Sequence, residues 1–152
     1  DQEKPHCLIL YAGSINQTEG QVIYHGKDIT GLPPYKIARQ GIGRCFQMVV
    51  PFESMTPKEK YRVARANAGR YGKGIELSVE EIMELTNLTD KQDITTNNLA
   101  LPDKKNVEIA RALACNPEVI LFDEVSCGLS GEEIGERMKL MKQLAKKELL
   151  LL

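Results

Sequence analysis

The sequence predicts an α/β protein with a partly parallel sheet, helices on its faces and a small antiparallel hairpin. Residues Val119–Phe122 form a continuous apolar run, which is typical of a parallel strand buried on both faces. Helical patterns precede and follow this run, at Asp103–Cys115 and Glu132–Lys147. Near the start of the chain, Gly20–Thr30 contains two short β-prone stretches around His25–Gly26, which predicts a hairpin.

Further elements of the sheet are indicated between Pro33 and Phe46 and at the end of the chain. Pro33-Pro34 predicts the start of a helix over Tyr35–Gln40, and Gly41 is typical of the residue that ends one. Ile42–Phe46 is then expected to form a strand that leads to Gln47. The apolar run Leu149–Leu152 predicts the beginning of a further parallel strand.

A helical subdomain is expected from about residue 56 to residue 100, within a single domain that spans residues 1–152. Lys58–Arg70 predicts a basic helix whose positive face is solvated. Ser78–Glu81 has the pattern of a capping box, which opens a short amphipathic helix with Ile82, Met83, Leu85 and Leu88 as its apolar residues.

Two later helices are expected to pack on the sheet. Pro102 at the first helical position and Asp103 in the first turn favour a helix start, and that helix would bury Ile109, Ala112 and Leu113. The last helix is predicted to face the core with Ile134, Met138, Leu140, Met141 and Leu144.

Length, charge and cysteine usage exclude several classes of protein. The 152 residues carry 20 basic and 21 acidic side chains, so the near-zero net charge gives no electrostatic case for nucleic acid or an anionic membrane. No apolar run is long enough to span a bilayer, which predicts no direct membrane insertion. The four widely spaced cysteines are predicted to be reduced and mostly buried: Cys7, Cys45, Cys115 and Cys127.

Two adjacent carboxylates, Asp123 and Glu124, follow the buried strand directly. Ligands of open α/β sheets lie beyond the carboxyl ends of the strands, and neighbouring carboxylates ionise together more easily when a cation shares the site. The pair therefore suggests Mg²⁺ and a water to be activated. It is equally compatible with acidic capping of the helix that follows.

The surrounding residues carry a resemblance to a known family. The stretch EIARALACNPEVILFDE resembles the region that leads into the Walker B motif of ABC-type ATPases, and SCGL resembles their D-loop. The stretch GKDITGLPPYKIARQGIGRCFQ is similar to the ATP-binding subunits of branched-chain amino-acid uptake systems. The resemblance implies a P-loop NTPase-like fold of the ABC type.

The same resemblance implies roles for five residues and a set of ligands and partners. Asp123 would hold Mg²⁺ through water, Glu124 would be the general base, and Gln47 would contact Mg²⁺ or the attacking water. Lys4 would take the position of the phosphate-binding lysine, and Ser126 would lie in the dimer contact beside ATP. The partners implied are transmembrane permease subunits and a second ATP-binding subunit, at the cytoplasmic face of the cell membrane.

Two motifs of the family are altered in this chain. Asp1, Gln2 and Glu3 stand where a phosphate loop has glycines, and Pro5 follows Lys4 in place of a hydroxyl-bearing residue. At Leu99–Asp103, the register of the LSxGQ signature, Ala100 replaces the serine and Pro102 replaces a glycine. We therefore expect no measurable intrinsic ATPase activity.

Both ends are expected to continue in a longer protein, because the chain begins without methionine and stops within an apolar run. In the family the run at Leu149–Leu152 leads to a switch histidine, and neither His6 nor His25 is in position to replace it. Two alternative interpretations remain. The chain is a non-catalytic ABC-like interaction module that docks a membrane or ATPase partner, or a rearranged chain whose resemblance is only structural.

Overall fold

The computed structural model of the chain describes residues 20–45, 52, 54–69, 74–122, 131–147 and 149–151. Five strands and five α-helices lie in these ranges. The strands are β1 Ile23–Tyr24, β2 Lys27–Asp28, β3 Ile42–Cys45, β4 Val119–Phe122 and β5 Leu150–Leu151. The helices are α1 Pro34–Ala38, α2 Pro57–Ala64, α3 Val79–Leu85, α4 Leu101–Leu113 and α5 Gly131–Lys146.

The N-terminal hairpin is formed as the sequence predicts. Strands β1 and β2 pair antiparallel, with Tyr24 opposite Lys27. The two turn residues, His25 and Gly26, have φ values of 48° and 72°, and the mirror-image hairpin turns require positive φ at this position. The hairpin is held further by Ile29, whose N–H donates to the Val22 carbonyl at 2.9 Å.

The second sheet is parallel and has the order β3–β4–β5. Ile42 pairs with Val119 and Cys45 with Phe122, while Val119 also pairs with Leu150. The α/β fold class and the three predicted parallel strands are therefore confirmed. The described strand β3 ends at Cys45, one residue before the predicted end, and Phe46 lies outside the described residues.

Alternate side chains of β4 enter two different apolar clusters. Val119 and Leu121 pack with residues of the hairpin, α1 and β3, namely Ile29, Ile37 and Ile42. Ile120 packs in a larger cluster with residues of α3, α4 and α5, among them Ile82, Met83, Leu113, Leu140 and Leu144. The strand is buried on both faces because side chains of a strand point alternately to opposite sides of the sheet.

The capping and proline signals set the helix starts. Ser78 Oγ accepts from the Glu81 N–H at 3.1 Å, and the Glu81 carboxylate accepts from the Ser78 N–H at 2.8 Å, which completes the predicted capping box. Helix α4 begins at Leu101, so Pro102 occupies its second position, where a missing N–H leaves no helical hydrogen bond unmade. The predicted buried residues Ile109, Ala112 and Leu113 are all buried.

The basic helix differs from its prediction. Its α-helical part ends at Ala64 and continues as a π-helical turn, Arg65–Gly69, while Arg70 lies outside the described residues. Lys60 is only 4% exposed, so the prediction of a wholly solvated positive face is wrong at this residue. The reason is tertiary, because α2 packs against α4.

The predicted core stripe of the last helix is correct only in part. Leu140 and Leu144 are 6% and 0% exposed, but Met138 is 49% and Ile134 38% exposed. Successive helical residues are about 100° apart, so Met138 and Leu140 lie about 200° apart around the axis and cannot share one face. The division of the chain into a helical subdomain at 56–100 stays a prediction.

Candidate functional site

The candidate site is defined by the edge at which strands β3 and β4 end. Cys45 and Phe122, their last residues, are paired neighbours in the parallel sheet. Adjacent strands of a sheet lie about 4.8 Å apart, so both strands reach the same edge side by side. In sequence, Gln47 is two positions after Cys45, and Asp123 directly follows Phe122.

The five site residues expected from the sequence lie outside the described residues. They are Lys4, Gln47, Asp123, Glu124 and Ser126. Their roles therefore stay predictions, and the described geometry concerns the strands and helices that lead to them. Within the described ranges, no three His, Cys, Asp or Glu side chains converge as a metal site would require.

The start of β4 is fixed from both sides. The Gly41 carbonyl accepts from the N–H groups of Glu118 and Val119, at 2.8 and 3.2 Å, and the Glu118 carbonyl accepts from Leu150 at 3.1 Å. Gly41 has a φ of 91°, a conformation that other residues rarely adopt. These bonds hold β4 in register with both neighbours.

The N-terminus of α4 is where the altered signature falls. Ala100 occupies the N-cap position and makes no side-chain capping bond, because alanine has no polar side-chain atom. Pro102 contributes no N–H, and the Asp103 carboxylate is bound by Lys91 Nζ at 2.7 Å. The Lys91 partner was not foreseen from the sequence, since the two residues are twelve positions apart and belong to different elements.

One cavity lined by described residues does not touch any strand. It has a volume of about 710 Å³ and lies between the end of α3, the start of α4 and α5. Its lining carries both charge signs, with Glu84 and Asp103 among the acidic residues and Arg137 and Lys139 among the basic ones. Mixed charges of this kind do not favour a phosphate ligand, so we do not assign the cavity to the candidate site.

A polar cluster that sequence reasoning missed lies at the opposite end of β4. Glu118 Oε2 accepts from the Tyr24 hydroxyl at 3.2 Å and lies 2.5 Å from His25 Nε2. Burial, followed by the negative charge of Glu118 and its hydrogen bond, raises the pKa of Tyr24 to about 12. The cluster attaches the hairpin turn to the residue that precedes β4.

Replacing Glu118 with Gln is expected to lower the pKa of Tyr24 from about 12 toward its ordinary value of 10.0, because the charge is removed while burial remains. In the wild type, the raised pKa of Tyr24 contributes to the free energy of unfolding. This contribution is complete below pH 10 and is lost as the pH rises to about 12. Phenolate absorbance during a pH titration measures the change, with Tyr24→Phe identifying the Tyr24 component. An identical Tyr24 titration in both proteins would contradict the assignment.

The described thiols are in surroundings that suppress their reactivity. Cys45 is 1% exposed, and burial raises the pKa of its thiol to about 12. Burial also raises the pKa of Cys115, which is partly exposed. Cys45 and Cys115 are free cysteines, and Cys7 and Cys127 lie outside the described residues, so the expectation of reduced thiols stays a prediction.

Solved structures with this arrangement are ATP-binding cassettes. A nucleotide-free cassette from an ABC transporter superposes with a TM-score of 0.82, at 27% identity, over 97% of this chain and 64% of that one. The ADP conformation of the cassette MJ1267 gives a TM-score of 0.79, also at 27% identity and with the same coverage. The fold is therefore that of the ABC ATPase class.

Sequence comparison gives the family. The ABC transporter family model matches residues 5–126, and the chain belongs to this family. The methionine import ATP-binding protein MetN of Vibrio cholerae is 36% identical over 129 residues, which are 84% of this chain and 38% of that protein. The probable branched-chain amino acid transport ATP-binding protein LivG of Archaeoglobus fulgidus is 33% identical over 131 residues, which are 78% of this chain and 51% of that protein. The chain thus spans between about a third and a half of these curated relatives.

None of the helices that the structure describes combines the length and the apolarity needed to cross a bilayer.

Proposed function

We propose that this chain acts within the ATP-binding subunit of an ABC importer of the branched-chain amino-acid type. The observation that carries the proposal is the parallel pairing of β3 and β4, with Cys45 opposite Phe122. It supports the proposal because the segments containing Gln47 and Asp123-Glu124 follow these two strands in sequence. The likeness to LivG and the residue order of Gly26–Gln47 favour the branched-chain type, while the likeness to MetN favours amino-acid import more broadly.

The proposed ligands are ATP and Mg²⁺. Carboxylate and amide oxygens are hard donors that suit Mg²⁺, and Asp123, Glu124 and Gln47 supply them. Mg²⁺, when bound, would neutralise charge on the phosphates. In this proposal Asp123 would hold Mg²⁺ through water, Glu124 would be the general base for the attacking water, and Gln47 would respond to the terminal phosphate. Lys4 and Ser126 keep their proposed contacts to ATP.

Hydrolysis is proposed to be impaired. Preorganised donors to a developing charge are each worth roughly 10²–10³ in rate. At the start of α4, Ala100 brings no hydroxyl and Pro102 no N–H, and Asp103 adds a carboxylate. The absence of glycines around Lys4 removes further donors. The chain therefore retains the scaffold and the acidic pair while losing contacts to the phosphates.

The proposed partners are transmembrane permease subunits and a second ATP-binding subunit, and the proposed location is the cytoplasmic face of the cell membrane. Permease subunits are proposed because the relatives MetN and LivG are ATP-binding proteins of import and transport systems. A second subunit is proposed because the segment 126–129 resembles a D-loop. In this proposal the identity of the transported substrate is determined by those other subunits.

Binding of a fluorescent ATP analogue with Mg²⁺ tests the proposal. We expect saturable binding below millimolar nucleotide, and binding on the order of tenfold tighter for Glu124→Gln, since a carboxylate facing the phosphates is neutralised. Phosphate release should stay at background in both proteins. The exposed helical residue Glu84 provides the matched control, and Glu84→Gln should bind like the wild type.

A second candidate is a non-catalytic ABC-like interaction module that docks a membrane or ATPase partner. The observation that favours it is the N-terminus of α4, where Ala100 makes no side-chain cap and Asp103 is paired with Lys91. An absence of binding at millimolar analogue, with the fold intact by circular dichroism, would reject the nucleotide proposal and favour this module.

A further inference from the structure

We propose that Arg65 is a positioning residue that holds the turn from which β4 begins. It does so from the π-helical turn at the end of α2, and it acts on β4 without contacting nucleotide. The expected effect of Arg65 on Mg²⁺ binding rests on the proposed function, because the carboxylates proposed to hold Mg²⁺ follow β4 in sequence.

The guanidinium group of Arg65 contacts one buried residue and one exposed residue. Its Nη1 donates to Asn116 Oδ1, and its Nη2 donates to Glu76 Oε1. Asn116 is 7% exposed, whereas the Glu76 side chain is 76% exposed. Because exposed ion pairs contribute little and hydrogen bonds from charged donors to buried acceptors contribute more, the Asn116 contact is the stronger one.

The turn at Asn116-Pro117 is held by two further bonds from the same side. The Gly74 N–H donates to the Asn116 carbonyl at 3.1 Å, and the Ile75 N–H donates to the Pro117 carbonyl at 3.2 Å. Asn116 has a φ of 50°, in the left-handed region that asparagine adopts more readily than most residues. Arg65 therefore holds the side chain of Asn116, while Gly74 and Ile75 hold the backbone of the turn.

The turn is one of the attachments of β4, beside the bonds of Glu118 and Val119 to Gly41 and of Leu150 to Glu118. Only Glu118 separates Pro117 from β4, and the N–H of Glu118 is already bonded to Gly41. A strand of four residues is a nearly extended rod of about 13 Å, so a displacement at its start is carried to its end. Metal sites tolerate displacements of only about 0.5 Å before they lose function.

Arg65 is the first residue of the π-helical turn Arg65–Gly69. A π turn widens the helix by one residue and changes the direction of the side chains that follow, and such turns are frequent at functional sites. Arg62, one turn earlier in α2, is exposed. Arg62 is therefore a matched control, with the same charge on the same helix.

The experiment compares the affinity of the full chain for a fluorescent ATP analogue with Mg²⁺ and with a chelator. Arg65→Met should reduce the Mg²⁺-dependent gain in affinity about tenfold and leave metal-free binding unchanged. Asn116→Gly, which keeps the positive φ accessible, should give the same loss, and the double variant should lose no more than either single one. Arg65→Lys should be intermediate, and Arg62→Met should behave as wild type.

Equal losses with and without Mg²⁺, or an unchanged Mg²⁺-dependent gain in Arg65→Met, would overturn the proposal. If the wild type binds no nucleotide, the proposed function fails, and amide hydrogen exchange then tests the positioning role separately. Exchange at Ile120 and Leu121 should rise about tenfold in Arg65→Met relative to Ile82 and Met83 of α3. A uniform rise across these amides would show a merely structural residue and would reject the inference.

Discussion

Replacing Gly74 with alanine is expected to lower the free energy of unfolding by about 3 kcal/mol, because the added methyl group overlaps a backbone that cannot move aside. A Cβ built on Gly74 would collide with the carbonyl and peptide bond of Pro117 and with the N–H of Glu118. Pro117 belongs to the turn before β4, and the N–H of Glu118 is bonded to the Gly41 carbonyl. Urea unfolding followed by circular dichroism measures the change.

Gly135 provides the control for this substitution. A Cβ at Gly135 meets nothing within 4 Å, and the residue lies inside α5. Alanine is about 0.5–1 kcal/mol more favourable than glycine in a helix interior, so Gly135→Ala should stabilise the protein. Equal stabilities of Gly74→Ala and the wild type would show that the 74–75 segment does not pack on the turn as described.

Replacing Ile120 with alanine is expected to cost about 2–5 kcal/mol. Ile120 is 0% exposed at the centre of β4, and its side chain packs in the cluster that joins the sheet to α3, α4 and α5. Deleting its methylene and methyl groups removes apolar burial and leaves a cavity that neighbouring strands on both sides cannot close. The same denaturant measurement applies.

Ile94→Ala is the corresponding control, since Ile94 is 42% exposed in a loop. The free energy of unfolding of Ile94→Ala should lie within about 0.5 kcal/mol of the wild type, the usual range for surface substitutions. A loss of similar size for both isoleucines would contradict the central position of β4. Together with Gly74→Ala, this pair tests whether the scaffold of the candidate site is as rigid as the proposed chemistry requires.

The residues that replace the expected signature, Ala100 and Pro102, are compatible with the helix that follows them. Helix α4 forms over thirteen residues although its signature serine and glycine are replaced, because Pro102 is compatible with the first helical turn. Asp103 gains a partner in Lys91. The fold of the ABC ATPase class therefore forms with Ala100 and Pro102 at this helix start, since fold and site depend on different residues.

The sequence predicted those features that depend on neighbouring residues. The hairpin turn at His25-Gly26, the Ser78 capping box and the proline at the start of α4 are local, because each satisfies its own backbone within a few positions. The buried strand β4 was also predictable, since a continuous apolar run after the turn at Asn116-Pro117 is typical of a parallel strand buried on both faces. The order of residues around it also indicated the family.

Only the tertiary structure decided which distant residues meet. The burial of Lys60, the exposure of Met138, and the partners Lys91 of Asp103 and Glu118 of Tyr24 follow from how helices and hairpin pack. The contact of Arg65 with Asn116 spans 51 positions and belongs to the same group. Such contacts cannot be read from the sequence because they depend on the relative placement of whole elements, which the summed burial of many side chains determines and no local pattern encodes.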